Sequence, residues 1–185
     1  MKISKLVSGA LLAFVLTTGS AAFAQKTVMV GGAAMYPNKN IVENAVNSKD
    51  HTTLVAAVKA ADLVETLKST GPFTVFAPTN AAFDKLPKGT VETLLKAENK
   101  NMLQGILTYH VVSGKWSAAD IAGAIKEGNG KAVVTTVQGS KLTIMMDDKN
   151  VVIMDEKGER SKVTITDVNQ SNGVIHVVDT VLMHD

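Results

Sequence analysis

The spacing of apolar positions changes partway along this chain. Leu54, Val55 and Val58 recur at i, i+1 and i+4, on one face of a helix. A second helical stripe runs through Leu94, Leu95, Met102, Leu103, Ile106 and Leu107, with a polar break at Asn99 to Asn101, so two short helices are expected there. Beyond Gly130 the period falls to two. Val133, Thr135 and Val137, then Leu142, Ile144 and Met146, then Val151 and Ile153, then Val163 and Ile165 each line one face of a strand. Turn signals at Gln138-Gly139-Ser140, Asp147 to Asn150 and Glu156-Lys157-Gly158 separate these runs as in an antiparallel meander. Val174 to Leu182 is apolar on both parities, which predicts a strand at the centre of the sheet. Helices first and strands last give an α+β domain.

Capping residues refine the helix starts. Asp62 with Glu65 three residues later, Thr79 or Asn80, Thr90, and Ser117 with Asp120 all stand where an N-terminal N–H needs a side-chain acceptor. The run Phe73 to Phe76 reads as a buried strand. Pro78 ends it by fixing its own φ and holding Ala77 extended, just before a cap at Thr79 or Asn80. Asn172-Gly173 is a tight-turn pair that returns Val163 to Val168 beside the last strand as a hairpin. Upstream, Gly31-Gly32 and Tyr36-Pro37 interrupt regular structure and Asn40 to Val46 suits a short helix, so residues 25–49 read as an N-terminal arm on a domain covering 50–185.

The first residues are of another kind. Met1 to Lys5 carries two lysines, Leu6 to Leu16 is uncharged and apolar, and Ala22-Phe23-Ala24 is an A-x-A cleavage pattern. Residues 1–24 are therefore expected to be a signal peptide cleaved before Gln25. The apolar run is shorter than the roughly 20 residues of a spanning helix, and the chain has no cysteine to carry a lipid anchor. The expected product is secreted or periplasmic, without stable membrane insertion. Loss of Lys2 and Lys5 from 19 basic and 17 acidic residues leaves seventeen of each. A neutral chain lacks the electrostatic footprint of a nucleic-acid binder, and without cysteine its stability must come from an apolar core.

Candidate chemistry thins out on inspection. His110 and His176 sit among apolar residues, where a histidine ordinarily satisfies buried polar groups. Asp179 follows His176 by three, so strand alternation sends the two to opposite faces. His51 and His184 show no zinc-ligand spacing. Asp147-Asp148 and Asp155-Glu156 read as solvated hairpin tips, and Met145, Met146 and Met154 as fillers of core gaps rather than copper ligands. No Gly-x-Ser-x-Gly elbow is present. The expectation is a protein with no catalytic residues, no metal and no cofactor.

Three stretches occurring together and in order carry a family resemblance: FTVFAPTNAAF from Phe73 to Phe83, LTYHVV from Leu107 to Val112, and NGVIHVVDTVL from Asn172 to Leu182. Over about Asp50 to Met183 the chain resembles the fasciclin domain. The resemblance implies a β-wedge or sandwich of mainly antiparallel strands with short helices packed around it. Pro78, Thr79, Asn80, Gly173, His176 and Asp179 would be structural members of its motifs. It also implies a non-catalytic adhesion or interaction role, with a cell-surface or matrix protein or glycan as partner; self-association in the envelope or a biofilm matrix is the alternative, and an undetected hydrolase or metal carrier a weaker one. Two proposed contact motifs of the family fall on Tyr109 with His110, and on Asp167 with Val168, where valine stands in place of the family's isoleucine. Tyr109 and His110 read rather as a buried helix-to-strand junction, while Asp167, beside a turn, reads as the better surface candidate.

Overall fold

The computed structural model describes residues 27–184; the expected signal peptide and its cleavage point lie outside them. A small hairpin of β1 (Val28–Val30) and β2 (Ala33–Met35) leads into helix α1 (Ile41–Ala45), α2 (Thr52–Ala60) and α3 (Val64–Lys68). Strand β3 (Phe73–Pro78) follows, then α4 (Asn80–Asp84), α5 (Thr90–Leu94), α6 (Lys100–Tyr109), β4 (Val111–Ser113) and α7 (Ala118–Glu127). The meander comes last: β5 (Lys131–Thr135), β6 (Lys141–Asp147), β7 (Asn150–Met154), β8 (Arg160–Gln170) and β9 (Gly173–Val178).

Seven strands form one sheet in the order β4-β3-β9-β8-β7-β6-β5. Every neighbouring pair is antiparallel except β3 and β9, which run parallel in register from Phe73↔Gly173 to Pro78↔Val178. A bridge between Val112 and Thr136, with the Val137 N–H donating to Val111 O at 2.7 Å, draws the far end of the sheet back to β4 and nearly closes it. This is the α+β domain expected from the change of period, in the wedge that the family resemblance implied.

Alternation along β3 and β9 divides the interior in two. Val75, Ala77, Ile175 and Val177 face the helices and pack with Leu54, Ala57, Leu67, Leu103 and Ile106. Phe76 and Val178 face the other way and pack with Leu142, Ile144 and Ile153 of the meander. All six residues of β9 are buried, which is why the last strand carries apolar residues on both parities. The segment before Lys49 packs with the rest: Val30, Met35 and Ile41 belong to the helix-side core. Its Asn40–Glu43 capping box starts α1 within the stretch expected to be helical.

Several local readings change. Asp62 does not open α3. It closes α2, with a left-handed φ of +54°, its N–H donating to Lys59 O and the Leu63 N–H to Val58 O, the double bond of a Schellman motif. Its carboxylate pairs with Lys100. Thr90 is not a cap either, since Gly89 with φ +83° occupies that position. Ser117 and Asp120 do form their box. Met146 is exposed and Met145 and Met154 are half-buried, so the meander methionines do not fill the core.

Candidate functional site

Tyr109 and His110 sit where α6 turns into β4, and both are sealed off. Tyr109 ends α6 on the face that meets the meander; its hydroxyl donates to Lys141 O at 3.0 Å and accepts from the Glu156 N–H at 3.2 Å. His110 caps the C-terminus of α6. One ring nitrogen, Nδ1, donates to Ile106 O at 2.8 Å, and Nε2 accepts from the Leu182 N–H at 3.0 Å. That pair of bonds requires the neutral imidazole. Burial holds the His110 pKa down at about 4, against weaker opposing pulls from the Ile106 carbonyl and from Asp155. With 0% and 2% exposure, neither residue can be touched in the folded protein, so the contact role implied for this pair is corrected to a structural one.

Asp167 and Val168 lie within β8 at a register break rather than beside the turn. Asp167 has φ +56°, and the bulge aims its carboxylate at α7, where Oδ1 accepts from the Ala118 N–H at 2.8 Å. An acidic acceptor on the first N–H of a helix is doubly favoured, by the hydrogen bond and by the helix dipole. The free-surface reading of Asp167 is thereby corrected: it is half-buried and already engaged. Val168 is 1% exposed and part of the helix-side core, so it too is withdrawn as a contact.

His176 joins the same assembly from β9. Its Nε2 donates to Trp116 O at 2.8 Å, its Nδ1 faces the Asp167 N–H at 3.4 Å, and its ring stacks on Phe76 at 5.9 Å between centroids. Burial pushes its pKa below the ordinary histidine value, with the Trp116 carbonyl and Asp167 pulling the other way. Thr74 completes the belt, donating to Gly114 O and accepting from the Trp116 N–H. Residues 114–118 are thus tied to the sheet by Thr74, His176 and Asp167. Asp179 stands apart, as alternation required. Its Oδ1 accepts from the Lys162 N–H at 2.9 Å and Lys85 Nζ lies 3.6 Å from Oδ2. Burial alone would raise its pKa, but the bonds from Lys162, Thr180 and Lys85 outweigh it and the carboxyl sits below its usual value.

The remaining motif residues hold the fold. Thr79 is the cap of α4, accepting from the Ala82 N–H. Asn80 lies one position inside and bonds instead to the Thr53 N–H and Lys49 O, fastening the start of α2. Pro78 pairs with Val178 at the end of the parallel ladder. A Cβ on Gly173 would stand 2.1 Å from Phe73 O, so the close approach of β9 to β3 needs glycine there.

Two polar residues do more than the sequence reading gave them. Asn172 accepts from the Ile41 N–H and donates to Leu67 O and Ser69 O, joining α1, α3 and the last hairpin. Asp155, 4% exposed, is not a solvated tip; it accepts from the N–H groups of Lys157, Glu159 and Met183. The Asp-x-x-Gly spacing of a side-chain-closed turn was the available signal for Asp155, whereas nothing local to Asn172 points to Ile41. Among the described residues no three His, Cys, Asp or Glu side chains cluster as a metal site, and no helix is long and apolar enough to cross a membrane.

Comparison with known proteins agrees with this architecture. The family model for the fasciclin domain matches residues 49–184. Protein sll1483 of Synechocystis is 48% identical over 159 residues, covering 86% of this chain and 81% of that protein. The cell surface glycolipoprotein MPB83 of Mycobacterium bovis is 33% identical over 165 residues, covering 86% of this chain and 67% of its own. Among solved structures, a domain pair from the insect cell adhesion molecule Fasciclin I superposes with a TM-score of 0.71 at 19% identity, over 80% of this chain and 52% of that one.

Proposed function

The chain belongs to the fasciclin family, and from that premise we propose that it is a non-catalytic, extracytoplasmic interaction module that binds a cell-surface or matrix protein or glycan. One relative is a cell surface glycolipoprotein and the solved neighbour comes from a cell adhesion molecule, which supports a role at the cell surface. The observation that carries the reading is how the polar groups are spent. Tyr109, His110, Asp155 and His176 direct their donors and acceptors at backbone groups, which is the work of holding loops in place rather than of moving protons in a cleft. Of the four residues carried over from the family's contact motifs, Asp167 alone is partly exposed, and it is the residue through which the proposed contact runs.

The experiment is adhesion of beads coated with the protein to bacterial and animal cell surfaces, comparing the wild type with Asp167→Asn. Asparagine keeps an oxygen for the Ala118 N–H while removing the charge, so the variant separates recognition from folding. Adhesion by the wild type that falls in the folded variant supports the reading. Equal adhesion moves the contact elsewhere on the surface, and absence of wild-type adhesion to every surface overturns the proposal. A second reading, self-association, is favoured by β5. That strand is the terminal one of the sheet over Lys131–Thr135, and it presents Val133 at 62% exposure. Sedimentation over a wide concentration range tests it, and a strict monomer with or without Val133→Lys would end it.

A further inference from the structure

Helices α1, α2 and α3 do not close fully over the sheet. Between them a crevice leads down to Val75 of β3 and Ile175 of β9, enclosing about 80 Å³. Its walls are apolar apart from the two buried histidines and a few other polar groups such as Ser48 and Thr108; Val42 and Ala45 on α1 and Val55 on α2 are among the lining residues that are only half-buried, and the mouth is taken to lie there. A cavity of this size takes about two or three heavy atoms. His51 lies in the same wall. Its Nδ1 is bonded to Ser48 Oγ at 2.8 Å, while its Nε2 is buried and meets no partner at hydrogen-bond geometry. This is where the protein has left its own packing unfinished.

The mouth carries one further feature. Lys59, one turn along α2 from Val55, lines the crevice, is exposed, and has no ion-pair partner among the described residues. The acids that follow it in the chain, Asp62 and Glu65, pair with Lys100 and Lys68. A mainly apolar slot with an uncommitted cation at its edge is complementary to a molecule with an alkyl end and an anionic head. We propose that this crevice is a binding site for a short-chain anionic amphiphile, the alkyl group entering between α1 and α2 and a carboxylate resting at Lys59. The site is separate from Asp167 and does not depend on the adhesion reading.

The test uses straight-chain carboxylates from acetate to decanoate as probes, titrated into isotope-labelled protein and followed by nuclear magnetic resonance. The expected result is saturable shifts confined to the crevice, at the Val55, Lys59, Val75 and Ile175 amides and the His51 ring. Affinity should rise about fourfold per added methylene until the cavity is filled and then level off. Lys59→Gln, an exposed change that leaves the fold alone, should weaken binding about fivefold, and Ala45→Leu, which fills the mouth, should abolish it. The corresponding uncharged alcohols should bind the wild type and Lys59→Gln equally. Absence of saturable shifts with every acid, affinity indifferent to chain length, or binding unmoved by both variants would overturn the proposal.

Discussion

Acidification should unlock the C-terminal segment through His110. The ring is neutral because Nε2 must accept from the Leu182 N–H while Nδ1 donates to Ile106 O. Its pKa in the fold is about 4, against 6.5 for the free side chain. A base whose pKa is lowered by folding takes up its proton preferentially in the unfolded chain, so stability falls as pH drops. The sign is therefore fixed. The full contribution is present above about pH 6.5, is lost progressively down to about pH 4, and changes no further below that. At about 1.36 kcal/mol per pKa unit, this group alone removes about 2 kcal/mol by pH 5 and about 3 kcal/mol at the acid limit. His51 and His176, also lowered by burial, act in the same direction.

His110→Gln separates the one group from the others. Glutamine offers an oxygen to the Leu182 N–H and does not titrate, but it loses the bond to Ile106, costing about 1–2 kcal/mol at neutral pH. Urea unfolding followed by circular dichroism at pH 7.5, 6, 5 and 4.5 gives the stability of both proteins at each pH. The wild type should lose its advantage on acidification, the gap narrowing by about 2 kcal/mol between pH 7.5 and 5. Parallel curves for the two proteins across that range would refute the assignment of the neutral, doubly bonded ring.

Three other substitutions test the frame. Asp167→Ala should cost about 1–3 kcal/mol by the same unfolding assay because it strands the Ala118 N–H, whereas Asp167→Asn should cost well under half as much. Asn172→Ala leaves the Ile41 N–H and the Leu67 and Ser69 carbonyls unanswered, and should lower the unfolding midpoint by the equivalent of about 3 kcal/mol. Gly173→Ala forces a Cβ against Phe73 O; a loss of about 3 kcal/mol or failure to fold is expected, and a neutral result would mean that β3 and β9 are not so closely paired.

Much of this fold is legible in one dimension because its determinants are local. The change from helical to alternating period marks where the helices give way to the meander, the Ser117–Asp120 box marks the start of α7, and the double-parity run marks β9 as central. What stays hidden is set by distance. Nothing near Asn172 says that its oxygen serves Ile41, and the alternation of β8 does not show the register breaks that turn Asp167 towards α7. Asp62 misleads for a different reason. Aspartate suits both an N-cap and a left-handed C-terminal position, and only the two bonds back to Lys59 and Val58 decide between them.

The same geometry constrains how an adhesive function is to be located. Tyr109, His110 and Val168 are as buried as any residue in the protein, and Asp167 braces the first turn of α7. Alanine at any of them removes a core contact or strands a backbone group, so lost adhesion in such a variant has loss of structure as a sufficient cause. A residue contributes to recognition in this fold when its side chain reaches solvent and its replacement leaves the unfolding midpoint in place. Val133 on the outer strand and Lys59 at the helical crevice meet both conditions, and within the motif Asp167→Asn comes nearest to them at a small cost in stability. These three positions address three different surfaces: the bulge beside α7, the edge of the sheet, and the mouth between α1 and α2. Which of them governs a given interaction is therefore decided by substitutions that the core does not feel.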